Sequence, residues 1–135
     1  MPQHNPNFQT LAIVGLGLMG GSLGLAALER GLAERVVGFD LDPATIKRAL
    51  ERRAITHGAS SLASAVAEAD LVVLATPVGS IGDVFAEAAA SMPSGCVVTD
   101  VGSTKAGVVD AVTRRAPASV HFIGGHPMAG SEKDG

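Results

Sequence analysis

Thr76, Ser103 and His126 each come directly after an apolar run that predicts a buried strand. In an open α/β sheet, ligands bind outside the carboxyl ends of the strands. Two hydroxyls, which donate and accept hydrogen bonds, and one imidazole, which also exchanges a proton, are therefore expected to meet in one crevice. Each residue alone also has a plain structural interpretation: a loop residue for Thr76, a helix cap for Ser103 and a solvated loop histidine for His126.

A glycine-rich loop precedes these residues in the chain. Gly15, Gly17 and Gly20 form a GxGxxG pattern between an apolar strand over 11–14 and a helical stretch over 21–30, the context of a dinucleotide-binding loop. Gly15 permits the tight turn, Gly17 lets the backbone approach a pyrophosphate, and Gly20 lets helix and strand pack closely. Free N–H groups at the helix start would face the phosphates. The cofactor-binding residues predicted in this loop are Gly15, Leu16, Gly17, Leu18, Met19 and Gly20.

Asp40 ends the second predicted strand, 25 positions after Gly15. An acidic residue at about this distance accepts a hydrogen bond from the adenosine ribose 2′-hydroxyl. It would repel the extra phosphate of NADP, and the following Leu41 supplies no positive charge, so the sequence favours NAD over NADP. The alternative is that Asp40 only caps the turn before Asp42.

The predicted elements alternate between strand and helix along the whole chain, which indicates a doubly wound parallel sheet of the Rossmann type. Residues 1–135 are interpreted as a single dinucleotide-binding domain, with a loose lead-in over 1–9 and the start of a substrate-side loop over 124–135. Strands are predicted over 11–14, 35–40, 55–57, 70–75, 96–101 and 120–123. Helices are predicted over 21–30, 42–52, 61–67 and 79–90, with a further one after 104.

Composition narrows the class of protein. The 135 residues carry a formal net charge of −3 and contain neither Trp nor Tyr, which argues against a nucleic-acid partner. No apolar run is long enough to span a bilayer, and the N-terminus lacks a signal-peptide pattern. Cys96 is the single cysteine, so no internal disulfide forms and a cytoplasmic location is expected. His, Cys and carboxylate residues show no metal-ligand spacing, and no metal is predicted.

Three stretches together resemble the prephenate and arogenate dehydrogenases: GLGLMGGSL over 15–23, DVGSTK over 100–105 and GGHPMAGSE over 124–132. The resemblance runs from about residue 11 to 135, and the third stretch is its specific part. It implies an NAD(P)-dependent oxidative decarboxylation in tyrosine biosynthesis. Prephenate would give 4-hydroxyphenylpyruvate and CO2, whereas arogenate would give tyrosine and CO2. The sequence leaves open which of the two is the substrate.

The resemblance also implies residue roles. His126 would accept a hydrogen bond from the ring hydroxyl of the substrate and take up its proton, while the same carbon delivers hydride to the nicotinamide. A neutral imidazole suits this role because the unperturbed pKa of histidine is about 6.5. Ser103 would orient His126 or the hydroxyl. By the same resemblance, the substrate-side residues are Ser131 and Glu132, and those beside the nicotinamide ribose are Thr76 and Pro77.

The family pattern continues into a helical domain that forms a homodimer and supplies an arginine for a substrate carboxylate, and this domain is absent from the 135 residues. An isolated 1–135 chain is therefore expected to bind NAD without necessarily turning over substrate. Three rival hypotheses remain. A β-hydroxyacid or imine-reducing dehydrogenase would lack the HPMAG stretch. A non-catalytic NAD-sensing module would bind NAD without reaction. A methyltransferase would bind a nucleoside that has no pyrophosphate.

Overall fold

The computed structural model describes residues 8–101 and 120–123, which contain six strands and four helices. The strands are β1 (Phe8–Val14), β2 (Ala33–Phe39), β3 (His57–Gly58), β4 (Leu71–Leu74), β5 (Val97–Asp100) and β6 (His121–Ile123). The helices are α1 (Leu18–Glu29), α2 (Pro43–Glu51), α3 (Leu62–Val66) and α4 (Val78–Ala89).

All the strands pair in parallel, in the order β3-β2-β1-β4-β5-β6. The strand order reverses at β1, because β2 lies on one side of it and β4 on the other. A crevice for a ligand opens at such a switch point, outside the carboxyl ends of the strands. The predicted doubly wound Rossmann-type sheet is thus confirmed.

The apolar strands are buried on both faces, as expected for a parallel sheet covered by helices. In β1, Ile13 packs in a cluster with residues of α1 and α2, whereas Val14 packs in a second cluster with residues of α3 and α4. Phe85, the largest fully buried side chain, anchors α4 in the second cluster. The core therefore fixes the carboxyl ends of β1 and β4 from both sides.

Two predicted boundaries near the N-terminus were wrong. The first strand begins at Phe8, so the last two residues of the predicted lead-in belong to the sheet. The reasons are long-range contacts: Phe8 pairs with Ala33 of β2, and one carboxylate oxygen of Asp70 accepts the backbone N–H groups of Gln9 and Thr10 at 2.6 and 3.3 Å. Helix α1 begins at Leu18, three residues before the predicted start, so the loop is shorter than expected.

Polar side chains set the boundaries of the short elements after β2. Asp42 caps α2 as predicted, accepting the N–H of Ala44 at 3.0 Å. Ser61 caps α3 in a capping box with Ser64. The third strand was predicted over 55–57, but it begins two residues later and covers only His57–Gly58. At Thr56 the side-chain hydroxyl accepts the N–H of Val36 at 3.0 Å.

Helices α1 and α2 end in the same left-handed turn, but with different residues at its tightest position. That residue is Gly31 after α1, with φ of 66°, and Arg53 after α2, with φ of 62°. The N–H groups that follow, of Leu32 and Ala54, donate back to the last helical turn at 2.9 Å in both cases. Both ends are Schellman motifs, in which glycine is the favoured residue.

Replacing Arg53 with glycine is therefore expected to raise the free energy of unfolding by about 0.5–1 kcal/mol, because a left-handed backbone strains residues that have a Cβ. Urea unfolding monitored by circular dichroism measures the change. The matched control is Gly31→Ala at the equivalent position, which should lower the free energy of unfolding by about 1 kcal/mol. Equal effects of the same sign would contradict this explanation.

Cys96 packs in the core immediately before β5. Burial, helped by the negative charge of Asp70, raises the pKa of the Cys96 thiol to about 11. The predicted packing role is consistent with this environment, because the unreactive thiol form persists at neutral pH.

The pKa of Cys96 is higher in the folded chain than in the unfolded chain, so the protonated thiol stabilises the fold at low pH. This contribution to the free energy of unfolding is lost as the pH rises from about 9 through 11. We expect the free energy of unfolding to fall by roughly 2 kcal/mol over this range. Urea titrations at several pH values test this. In Cys96→Ala, the cavity left by the smaller side chain lowers the free energy of unfolding at every pH. The fall in this free energy between pH 9 and 11 that is due to Cys96 should disappear, and an unchanged dependence on pH would refute the assignment.

Candidate functional site

A cleft of about 980 Å³ lies at the carboxyl ends of β1, β2, β4 and β5. Gly15, Gly17 and Met19 of the glycine-rich loop form one part of its wall, and Asp40 lies beside them. Thr76 and Pro77 contribute the part that follows β4. The cleft therefore brings together predicted residues from three separate stretches of the chain. Its other lining residues are Val14, Phe39, Leu41, Ser61, Leu62, Ala75, Ser80, Val84, Glu87 and Val101.

Two of the three fingerprint glycines are required by packing within the protein. Gly15 has φ of 99°, and a Cβ there would lie 2.8 Å from the carbonyl carbon of Ala75. A Cβ on Gly20 would overlap the carbonyl oxygen of Gly15. The predictions of a tight turn at Gly15 and of close helix packing at Gly20 are confirmed. Gly24 continues this packing, because its Cβ would overlap the carbonyl oxygen of Ala54 on the neighbouring chain segment.

Gly17 differs from the other two. Its two chain neighbours aside, no atom of residues 8–101 or 120–123 lies within 4 Å of the position that its Cβ would occupy, and its backbone angles are ones that other residues adopt. Packing therefore does not explain a glycine here. Gly17 is the N-cap of α1, and the space beside it adjoins the first-turn N–H groups of a twelve-residue helix that has no acidic residue in its first turn. Such a site favours an anion.

Asp40 is partly buried and uses both carboxylate oxygens within the protein. Oδ2 accepts the N–H of Leu16 at 2.8 Å, and Oδ1 accepts the N–H of Asp42 at 2.9 Å. Asp40 therefore does cap the turn before Asp42, which was the alternative interpretation of this residue. Its carboxylate also holds the glycine-rich loop against the end of β2. Each oxygen has a further lone pair that can accept a ligand hydroxyl.

Thr76 lies directly beyond β4 with its hydroxyl turned away from solvent. Oγ1 is buried and has no hydrogen-bond partner among the residues that the structure describes. An unsatisfied buried hydroxyl costs about 1–3 kcal/mol, so a partner for Oγ1 is expected beyond the described residues, either in the rest of the chain or in a ligand toward which the hydroxyl turns. Thr76 is therefore the candidate binding residue at the β4 end of the cleft.

Several sequence-predicted residues take other positions. Leu16 and Leu18 do not line this cleft; they line a smaller groove on the other side of the glycine-rich loop. The predicted meeting of Thr76 with Ser103 and His126 stays a prediction, because the latter two residues lie outside the described ranges. The same holds for the predicted substrate-side residues, Ser131 and Glu132.

The apolar half of the cleft was not predicted from the sequence. Leu62 of α3, Ser80 and Val84 of α4 and Phe39 of β2 contribute to it. The available signal was the helical spacing of Ser80, Val84 and Glu87 after the predicted strand 70–75. No loop motif marks these positions, so the sequence did not assign them to a site.

The described part of the chain supplies two further observations. Between residues 8 and 101, and over 120–123, no three His, Cys, Asp or Glu side chains are grouped so that they could hold a metal ion. None of the four helices described has the length and apolarity needed to cross a membrane.

Comparison with known proteins agrees with this geometry. Residues 23–135 match the family model described as prephenate dehydrogenase, nucleotide-binding domain. The chain belongs to this family. It is 41% identical over 127 residues to a prephenate dehydrogenase of Bacillus subtilis, an alignment that covers 93% of this chain and 34% of that protein.

Solved structures of the family share the fold. A prephenate dehydrogenase from A. aeolicus, crystallised with hydroxyphenyl propionate and NAD+, is 29% identical, with a TM-score of 0.74 over 92% of this chain and 43% of its own. An arogenate dehydrogenase from Synechocystis is 27% identical, with a TM-score of 0.79 over 87% of this chain and 40% of its own. The chain therefore spans about a third to two fifths of these relatives and corresponds to their nucleotide-binding part.

Proposed function

We propose that the chain is the NAD-binding domain of a dehydrogenase that oxidatively decarboxylates prephenate or arogenate. The observation that carries the proposal is the open space beside Gly17, which the described residues leave free at the N-terminus of α1. A dinucleotide pyrophosphate has the size and charge for that position. Family membership and the A. aeolicus relative solved with NAD+ support the same cofactor.

The residues of the cleft suit the rest of the cofactor. Asp40 accepts the 2′-hydroxyl of the adenosine ribose, and the buried hydroxyl of Thr76 donates to the nicotinamide half, with Pro77 beside it. Phe39 and Leu62 form an apolar surface against which an adenine packs. NAD, when bound, supplies the hydride acceptor; the chain's own residues bind and orient it.

We assign the proton transfer to His126 on the resemblance of the GGHPMAGSE stretch. As the ring hydroxyl of the substrate gives its proton to the imidazole, the carbon that bears it loses hydride. The bond between the ring and the carboxylate then breaks, CO2 leaves, and the electron pair of that bond completes the aromatic ring, whose phenolate oxygen takes the proton back from the imidazole. Ser103 orients the imidazole or the hydroxyl, and Ser131 and Glu132 lie on the substrate side. The full-length protein acts as a cytoplasmic homodimer in this proposal.

NADH formation by the complete gene product tests the proposal, with prephenate and arogenate assayed side by side against NAD and NADP. Turnover of either substrate with NAD is the expected result, and the preferred substrate identifies the one that the sequence left open. If NAD binds but neither substrate reacts, the function shifts to a hydroxyacid dehydrogenase or to an NAD sensor. Preferential binding of S-adenosylmethionine over NAD would overturn the cofactor assignment.

A further inference from the structure

Glu87 of α4 lines the cofactor cleft, and among the described lining residues Asp40 is the other one with an ionisable side chain. Asp40 uses both carboxylate oxygens within the protein. The exposed side chain of Glu87, in contrast, makes no hydrogen bond or ion pair with any residue of 8–101 or 120–123. Within this part of the chain, its carboxylate therefore keeps its full capacity to accept hydrogen bonds from a bound molecule.

The helical spacing of α4 sets where Glu87 lies along the cleft. Ser80, Val84 and Glu87 all line the cleft, and their spacings of four and three residues put them on one face of α4. The helix begins directly after Pro77, so Ser80 lies near the nicotinamide half of the proposed site. Seven residues of helix carry Glu87 about 10 Å farther along the axis. We therefore place Glu87 in the opposite half of the cleft, where the adenine is proposed to pack.

The surface next to Glu87 is apolar and is fixed by the core. Val84, one turn before Glu87, and Phe39 of β2 are partly buried and pack against the core cluster that contains Leu62. All three side chains line the cleft. Binding pockets for small molecules commonly combine such an apolar lining with a few polar groups that fix orientation. An apolar surface with a carboxylate at its margin suits a flat purine ring that presents a hydrogen-bond donor at its edge.

The other polar side chain from the α3 side of the cleft is already used. The hydroxyl of Ser61 accepts the N–H of Ser64 at 3.1 Å and donates to the hydroxyl of the same residue at 3.0 Å, as part of the cap of α3. Asp40 is assigned to the ribose. Among the described residues, the Glu87 carboxylate is thus the group in this half of the cleft that remains to bind the edge of the ring.

We propose that Glu87 determines which purine the dinucleotide carries, because its carboxylate accepts a hydrogen bond from the exocyclic amino group of adenine. This inference rests on the proposed binding of NAD. A carboxylate only accepts hydrogen bonds, and the amino group of adenine donates them. Hypoxanthine carries a carbonyl oxygen in place of that amino group. Its ring would set two acceptors against each other, and such a mismatch selects against the wrong ligand.

Nicotinamide hypoxanthine dinucleotide is the probe, because it differs from NAD only in the purine base. Calorimetric titration of the purified complete gene product with each dinucleotide gives the ratio of the two Kd values. We expect the wild-type protein to bind the probe about 10-fold less tightly than NAD, the usual effect of a hydrogen bond to a charged group. In Glu87→Gln the two Kd values should agree within about 2-fold, because an amide both donates and accepts and so suits either base.

Asp83→Asn is the matched control. Asp83 is the exposed acidic residue one turn before Glu87 on α4, and it does not line the cleft. Its replacement should change the ratio of Kd values by less than about 2-fold, because salt screens the field of an exposed charge. Titrations with ADP and with inosine diphosphate leave out the nicotinamide half. They should give the same ratios, since the contact is to the purine alone.

The outcomes separate this inference from the proposed function. If the wild-type protein does not bind NAD, the proposed function fails and the inference fails with it. If NAD binds but the hypoxanthine dinucleotide binds equally well, the selection of the purine by Glu87 is refuted and the proposed function stands. A ratio that Glu87→Gln leaves unchanged, or that Asp83→Asn lowers equally, also overturns the inference, because a contact at Glu87 is then not its cause.

Discussion

Gly17→Val is expected to weaken NAD binding by about 100-fold while the domain stays folded. The valine side chain would occupy the space at the N-terminus of α1 that the described residues leave open, and a pyrophosphate could no longer approach the backbone. The backbone angles of Gly17 suit other residues, so the fold should lose at most about 1 kcal/mol, the usual cost of a poor helix cap. Calorimetric titration with NAD and urea unfolding measure the two effects.

Gly20→Ala provides the contrast for this prediction. Its methyl group would overlap the carbonyl oxygen of Gly15, so the free energy of unfolding should fall by about 1–3 kcal/mol or more. Gly17 and Gly20 are only three positions apart, but their variants should be impaired in different measurements. Gly17→Val should weaken NAD binding, whereas Gly20→Ala should lower the free energy of unfolding. If Gly17→Val bound NAD normally, the phosphate position in the proposal would be wrong.

His126→Asn is expected to lower kcat of the complete gene product by about 100-fold or more, with nearly unchanged NAD affinity. Asparagine keeps a hydrogen-bonding group but cannot take up the substrate proton, and general-base catalysis contributes a factor of this size. Initial rates of NADH formation and calorimetric titration with NAD give the two quantities separately.

The pH dependence of the His126 variant provides a second readout. In the wild-type protein, kcat should rise with pH as the imidazole loses its proton, and this rise should be missing in His126→Asn. Ser103→Ala is the comparison within the same predicted crevice: as a positioning group, Ser103 should matter less than the base itself. A His126 variant with wild-type turnover would refute the assignment of the base.

Local rules predicted the roles of Gly15 and Gly20 correctly, because each of these glycines acts on atoms near it in sequence or on the adjoining strand. Gly15 turns the chain and Gly20 packs on Gly15, and both facts follow from the spacing of the motif. The cap of α2 was predictable for the same reason, since Asp42 bonds to a residue two positions away.

Long-range contacts account for what the sequence did not indicate. The early start of β1 depends on Asp70, some sixty residues away, and no pattern near Phe8 reports it. In the same way, Gly38 makes room for the side chain of Leu16, and that pairing joins two distant segments.

The contact between Gly15 and the backbone of Ala75 joins the two ends of the proposed cofactor site mechanically. The turn that would hold the pyrophosphate lies against the peptide that leads directly to Thr76, at a separation too small for even one added carbon atom. Neither loop can move toward the other without displacing it. The nucleotide half of a dinucleotide would therefore set the position of the loop beside its nicotinamide half, and amide hydrogen exchange in both loops should slow together when that half alone, as ADP, is added.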